Sequence, residues 1–208
     1  MDAADWSIDA TGWCAAAQRC PSPNCDARAD DVTLDLLIIH NISLPPGQFG
    51  GHYIKDLFMN RLDLDADPYF AHLGGLRVSA HFLVRRDGSV LQFVATVQRA
   101  WHAGVSAFSG RERCNDFSIG IELEGTDAVP FEPAQYLSLA SLTLALQARH
   151  RLQDVVGHQH VAPGRKTDPG PCFDWQQYHD TWRQAVQSAG APRAATLALV
   201  FPGAGRLA

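Results

Sequence analysis

The sequence predicts an α/β chain of the α+β kind, a central mixed β-sheet with helices packed on it. Three observations carry that expectation. Residues 33–40 (TLDLLIIH) form a short, mostly apolar run ending in a histidine, the pattern of a strand buried on both faces. Residues 117–124 (FSIGIELE) alternate, with Ile119, Ile121 and Leu123 on one face and Gly120, Glu122 and Glu124 on the other. Residues 133–149 (PAQYLSLASLTLALQAR) place a proline early and apolar residues at helical spacing, which predicts an amphipathic helix.

The remaining elements follow in chain order. Residues 1–32 are turn-rich, with Pro21, Pro23, Asn24 and Asp26, and predict an irregular lead-in that wraps the domain. After a break at Gly47–Gly51, residues 53–60 space Ile54, Leu57 and Phe58 as a helix face, and residues 63–75 read as a loop. In residues 80–95 two β-prone runs flank Asp87-Gly88, a strong hairpin signal. Residues 154–156 form a short strand that feeds a loop. Residues 174–188 predict a last helix capped by Asp174, with Trp175, Tyr178 and Trp182 on a stripe that belongs in the core. From Gly190 the composition turns to Ala, Pro, Gly and Leu, so residues 1–189 are expected as one domain and 190–208 as a tail.

Composition narrows the function classes. A length of 208 residues and a hydrophobic fraction of 46% fit one globular domain with a real core. A net charge of −5 argues against general nucleic-acid binding, which wants a basic surface. No run is long enough to span a bilayer, and the acidic start MDAADWSIDATGW does not read as a secretory leader. A cytoplasmic protein is therefore expected, without a membrane partner. The cysteines are odd in number: Cys14, Cys20, Cys25, Cys114 and Cys172. The first three match no common zinc spacing, and all are read as reduced thiols rather than disulfides.

The segment richest in chemistry is residues 157–175, GHQHVAPGRKTDPGPCFDW. Pro163, Gly164, Pro169, Gly170 and Pro171 stiffen it into a loop that carries His158, His160, Lys166 and Asp168. On an extended backbone, the two histidines flanking Gln159 would point to the same side. His40 ends a buried strand, at the rim where a sheet presents ligands. Two neutral imidazoles and one carboxylate make a three-ligand zinc site with a fourth position open, the catalytic arrangement. Spacing alone does not tell His158 from His160, Glu122 from Glu124, or Lys166 from Arg165. Gly120 leaves open space beside Glu122 that a ligand could fill. Trp101-His102 offers a stacking face for a sugar ring. Ser79 and Ser118 lack the partners of a nucleophile, so covalent catalysis is the poorer account.

Five segments, IIHNIS, SAHFLVRRDG, RAWHAG, CNDFSIGIELEGTD and GHQHVAPGRKTDPGP, resemble the zinc-dependent N-acetylmuramoyl-L-alanine amidases. That family is related to phage lysozyme-amidases and peptidoglycan-recognition proteins, and the resemblance runs from about Ile8 to about Trp182. It implies an amidase-like fold and zinc (Zn2+) held by His40, His158 and Asp168, with His160 left as a neighbour. It also implies Glu122 as acid/base and Lys166 facing the reacting carbonyl. Asn41, Arg77, Trp101, His102 and Arg113 fall in segments that line the family's substrate groove. The implied reaction is hydrolysis of the amide between the lactyl group of 1,6-anhydro-N-acetylmuramic acid and L-alanine of the stem peptide. The implied setting is muropeptide recycling in the bacterial cytoplasm, by a monomer acting on a small muropeptide. Two competing expectations are a module that binds peptidoglycan without cutting it and an amidase acting on intact wall. The filled ligand and catalytic positions disfavour the first, and the absence of an export signal disfavours the second.

Overall fold

A computed structural model describes residues 4–189 and 199–202. Ten strands and four α-helices are formed among these residues. In chain order they are β1 (Gln18–Arg19), β2 (Cys25–Ala27), β3 (Leu36–Ile42), α1 (Tyr53–Phe58), β4 (Phe82–Val84), β5 (Val90–Gln92) and β6 (Gln98–Ala100). They continue with β7 (Ala107–Phe108), β8 (Arg111–Glu112), β9 (Ser118–Glu124), α2 (Pro133–Arg149), β10 (Asp154–Gly157), α3 (His158–Val161) and α4 (Trp175–Ser188). Six strands make one mixed sheet in the order β1-β5-β4-β9-β3-β10. Its antiparallel pairing is the β4–β5 hairpin, turned at Asp87-Gly88, where Gly88 takes a φ of +84° that a side chain would resist. The other pairings are parallel. The α+β expectation holds.

Strand periodicity decides which residues face which layer. Leu37 and Ile39 of β3 and Ile119, Ile121 and Leu123 of β9 point to the face covered by α2 and α4. There they meet Leu139, Leu142 and Leu146 of α2 and Tyr178 and Trp182 of α4, all buried. Burying each such side chain is worth about 1.5–3 kcal/mol, which fixes the register of the central strands. Leu36 and Ile38 take the opposite face with Cys114, Phe117, Val156 and Val161. The same parity puts His40, Ser118, Gly120 and Glu122 on that second face, away from the long helices.

The helices start where the sequence marks them. Pro133 opens α2, and the Gln135 side chain accepts from the Glu132 N–H at 3.0 Å. Asp174 caps α4 by accepting from the Gln177 N–H at 2.8 Å. Two expectations change. The lead-in is not wholly irregular: β1 adds to the edge of the main sheet beside β5, and β2 pairs with β6. Residues 63–75 contain a 3-10 helix, Pro68–Leu73, capped by Asp67. Of the tail from Gly190 on, only residues 199–202 are described. Leu199 and Phe201 are buried in the core under α4, and Val200 bridges Asp154.

Candidate metal centre and active site

The site forms at the C-terminal ends of the parallel strands, the usual mounting place for chemistry on such sheets. His40 lies near the end of β3, and Glu122 of the neighbouring β9 is its register partner. Strand β10 runs parallel to β3 and delivers the chain into α3, whose first residue is His158. The proline-rich loop then carries Asp168 back over the sheet. Its return is held by the Gln159 N–H, which donates to the Asp168 carbonyl at 2.9 Å.

Three ligand atoms converge. His40 Nδ1 is 3.0 Å from His158 Nδ1 and 3.0 Å from Asp168 Oδ2, and His158 Nδ1 is 3.1 Å from the same oxygen. Donors bound to one tetrahedral zinc ion at about 2.0–2.1 Å stand about 3.3 Å apart, so this spacing fits a shared ion. His158 Nε2 lies 3.1 Å from the Ala103 carbonyl, which accepts a hydrogen bond from its N–H and leaves Nδ1 with its lone pair inward. Burial pushes the His40 pKa down to about 4, with the Asp168 carboxylate opposing, so the imidazole is neutral near neutral pH, as a ligand must be. Burial also works against the charge of Asp168, but the His158 and His40 rings beside it hold its carboxyl well below the usual range. Two imidazoles and a carboxylate are the donor set of a hydrolytic zinc centre.

Glu122 is the odd group in this cluster. Its Oε2 is buried and has no hydrogen-bond partner among the described residues. Burial, reinforced by the charge of Asp168 and opposed by Lys166, raises its pKa well above the ordinary carboxylate range. Glu124, on the same strand face, is committed elsewhere. Its carboxylate accepts from the Gly50 N–H at 2.6 Å and faces the Arg86 N–H at 3.4 Å. The two glutamates, indistinguishable by alternation, are separated by what they touch.

The structure also separates the other ambiguous pairs. His158 and His160 do not share a side, because residues 158–161 form a helical turn rather than an extended segment. His160 turns away to accept from the Gly157 N–H at 2.8 Å. Arg165 spends its guanidinium on the Ala103 carbonyl at 2.9 Å and on the Val105 carbonyl, whereas the Lys166 side chain is exposed at the rim of the site. The groove is open there, so water is excluded only when something fills it.

Two clefts meet at Arg165 and Lys166. One, of about 600 Å³, is lined by Asn41, Tyr69, Asp127 and Asp168. The other, of about 230 Å³, is lined by Arg77, Trp101, His102, Asn115 and His158. Asn41 donates to Asp127 Oδ1 at 2.6 Å and to the Pro169 carbonyl at 3.0 Å. Arg113 lies apart from these clefts, in a neighbouring groove, where it pairs with Asp116 at 3.1 Å. His102 lies with its Nδ1 3.1 Å from His40 Nε2. The space beside Glu122 is not open: a Cβ on Gly120 would stand 2.5 Å from the His102 ring. Asp127 and Asn115 lie within the CNDFSIGIELEGTD segment, but the sequence assigns neither a role. Their signal lay in the partners they bond, which spacing does not reveal.

Comparisons with known proteins agree with this geometry. A family model described as N-acetylmuramoyl-L-alanine amidase matches residues 30–171. The 1,6-anhydro-N-acetylmuramyl-L-alanine amidase AmpD of Citrobacter freundii is 57% identical over 169 residues, which cover 80% of this chain and 90% of that protein. A crystal structure of a selenomethionine derivative of AmpD superimposes with a TM-score of 0.81 at 55% identity, covering 84% of this chain and 98% of that one. The Escherichia coli amidase AmiD, in complex with the substrate anhydro-N-acetylmuramic acid-L-Ala-D-gamma-Glu-L-Lys, matches with a TM-score of 0.52 at 34% identity, covering 74% of this chain and 60% of that one. With its strands, ligand cluster and sequence all in accord, the chain belongs to the N-acetylmuramoyl-L-alanine amidase family.

Proposed function

We propose that this chain is a zinc-dependent amidase that hydrolyses the bond between the lactyl group of 1,6-anhydro-N-acetylmuramic acid and L-alanine of the stem peptide. The observation that carries the reading is the convergence of His40, His158 and Asp168 beside the buried, unpartnered Oε2 of Glu122. The substrate comes from the relatives: AmpD is named for this bond, and AmiD was captured with a peptide of this class.

Zinc bound by the triad would supply a Lewis acid that polarises the scissile carbonyl and makes a nearby water more acidic. The carboxylate form of Glu122, whose Oε2 has no competing partner, takes the proton from the attacking water. It then returns a proton to the alanyl nitrogen as the C–N bond breaks. Its raised pKa suits both halves of that task, since a strong base also makes the later acid available near neutral pH. Lys166 lies at the junction of the two clefts, where its ammonium meets the charge that develops on the carbonyl oxygen. Arg77, Trp101 and Asn41 line the walls that would orient the sugar and peptide, and Arg113 lies in the neighbouring groove.

We place the reaction in cytoplasmic muropeptide recycling. The five cysteines are free thiols, which suits a reducing compartment, and no helix among the described residues is long and apolar enough to cross a membrane. The test is cleavage of anhydro-muramyl tripeptide, followed by separation of free tripeptide from the sugar. Activity is expected to vanish with a chelator and return with zinc. Undiminished cleavage in chelator would refute the metal role. Equal rates on the non-anhydro sugar would refute the recycling assignment.

A further inference from the structure

We propose that the Trp101–Ala103 segment is an outer bracket that orients both ligand imidazoles, with His102 as the positioning residue for His40. The inference rests on the zinc reading above and goes beyond it, because His102, which lines the smaller cleft, is given a second part behind the metal.

The protonation pattern follows from the hydrogen-bond chain. Ser118 Oγ is 2.6 Å from the Cys114 carbonyl, which can only accept, so the hydroxyl proton goes there. The lone pairs of that oxygen then face His102 Nε2 at 3.4 Å, which makes Nε2 the protonated nitrogen of His102. His102 Nδ1 is left as an acceptor, and its neighbour at 3.1 Å is His40 Nε2, which must donate. His40 Nδ1 therefore carries its lone pair into the cluster with His158 and Asp168. A backbone carbonyl at the end of one chain thus sets the tautomer of a ligand three groups away.

The second ligand is held from the same segment. The carbonyl of Ala103, the residue after His102, accepts from His158 Nε2 at 3.1 Å. Two side chains pin the segment itself: Ser79 Oγ accepts from the Trp101 N–H at 3.1 Å, and Asn115 Oδ1 accepts from the His102 N–H at 3.1 Å and the Ala103 N–H at 2.8 Å. Gly120 completes the bracket by absence, since a Cβ there would come within 2.5 Å of His102 Nδ1. Ser118 and Gly120 share a strand face with Glu122, so one strand provides both the floor under His102 and the candidate proton carrier.

Partners behind a ligating histidine fix its ring orientation, and removing one typically costs about 10- to 100-fold in metal affinity. The test compares two near-isosteric variants in the full chain, His102→Leu and His102→Asn. Asparagine can place its Oδ1 where Nδ1 stood and accept from His40, and leucine cannot. Zinc affinity would be read by competition with a chromophoric chelator. His102→Leu is expected to weaken zinc by about 10- to 100-fold, and His102→Asn to recover most of that loss. In the parent chain without metal, imidazole nitrogen chemical shifts are expected to show His40 protonated at Nε2. Parent-like zinc affinity in His102→Leu would overturn the bracket, and so would an asparagine variant as weak as leucine. If the leucine variant did not fold, a His40 found protonated at Nδ1 in the parent would overturn it alone. A parent that takes up no zinc would instead overturn the metal centre, and the bracket with it.

Discussion

Replacing Glu122 with glutamine should make the protein more stable and nearly inactive, while the same change at Glu124 should make it less stable. Glu122 is half-buried, with a buried and unpartnered Oε2 and a pKa raised well above the ordinary carboxylate range, chiefly by desolvation. The sign follows from linkage. A carboxyl whose folded-state pKa is raised subtracts stability once the pH climbs above its unfolded value of about 4.3. It subtracts nothing below that. A tenfold displacement of the protonation equilibrium is worth about 1.4 kcal/mol. Each kcal/mol moves the Tm of a domain of this size by about 2–4 °C. In Glu122→Gln the ionisation penalty is gone, so the metal-free protein near neutral pH should melt higher than the parent, and the gain should shrink as the pH falls toward the ordinary carboxylate value. Turnover should fall by about 100- to 10,000-fold with the loss of the proton carrier. Glu124 accepts from the Gly50 N–H at 2.6 Å, so Glu124→Gln exchanges a charge-assisted bond for a neutral one, at a cost of about 1 kcal/mol. Calorimetry with chelator present, across a pH series, reads both stabilities. A Glu122→Gln protein that melts below the parent near neutral pH would refute the claim of a destabilised carboxyl, and parent-like turnover would refute its role.

Three further outcomes follow from the same geometry. Lys166→Ala should retain stoichiometric zinc and lose about 100- to 1,000-fold in kcat, the usual scale for one oxyanion partner; elemental analysis and muropeptide turnover on one preparation decide it. Asp168→Ala removes the carboxylate whose Oδ2 lies 3.0 Å from His40 Nδ1 and 3.1 Å from His158 Nδ1, so it should lose the metal, and stoichiometric zinc in that variant would sink the ligand assignment. Phe201 is buried and its ring centroid lies 5.0 Å from Tyr178 and 5.4 Å from Trp182, so Phe201→Ala should lower unfolding free energy by about 3 kcal/mol in urea titrations, without changing zinc content.

What the sequence disclosed depends on whether a signal is local. The hairpin at Asp87-Gly88, the bounds of α2 and the Asp174 cap were legible because turn chemistry, periodicity and capping act within a few residues. The alternation of β9 likewise put Glu122 on the correct face. Alternation could not separate Glu122 from Glu124, because their difference is made by Gly50 and Arg86, which meet only Glu124 once the sheet has formed. Spacing could not separate His158 from His160 for a different reason. The extended geometry that would align them gives way to one helical turn, held by the Ala162 N–H on the His158 carbonyl at 2.9 Å. Gly120 was read as room for a ligand, and the room is taken by a ring from a distant segment. The outer bracket was the least legible part of all. Its contact with His158 is a main-chain carbonyl, which every residue carries, so nothing about alanine at position 103 could announce it. Side-chain chemistry in the sequence names the candidates for a metal centre; the orientation that makes them ligands is supplied here largely by backbone groups.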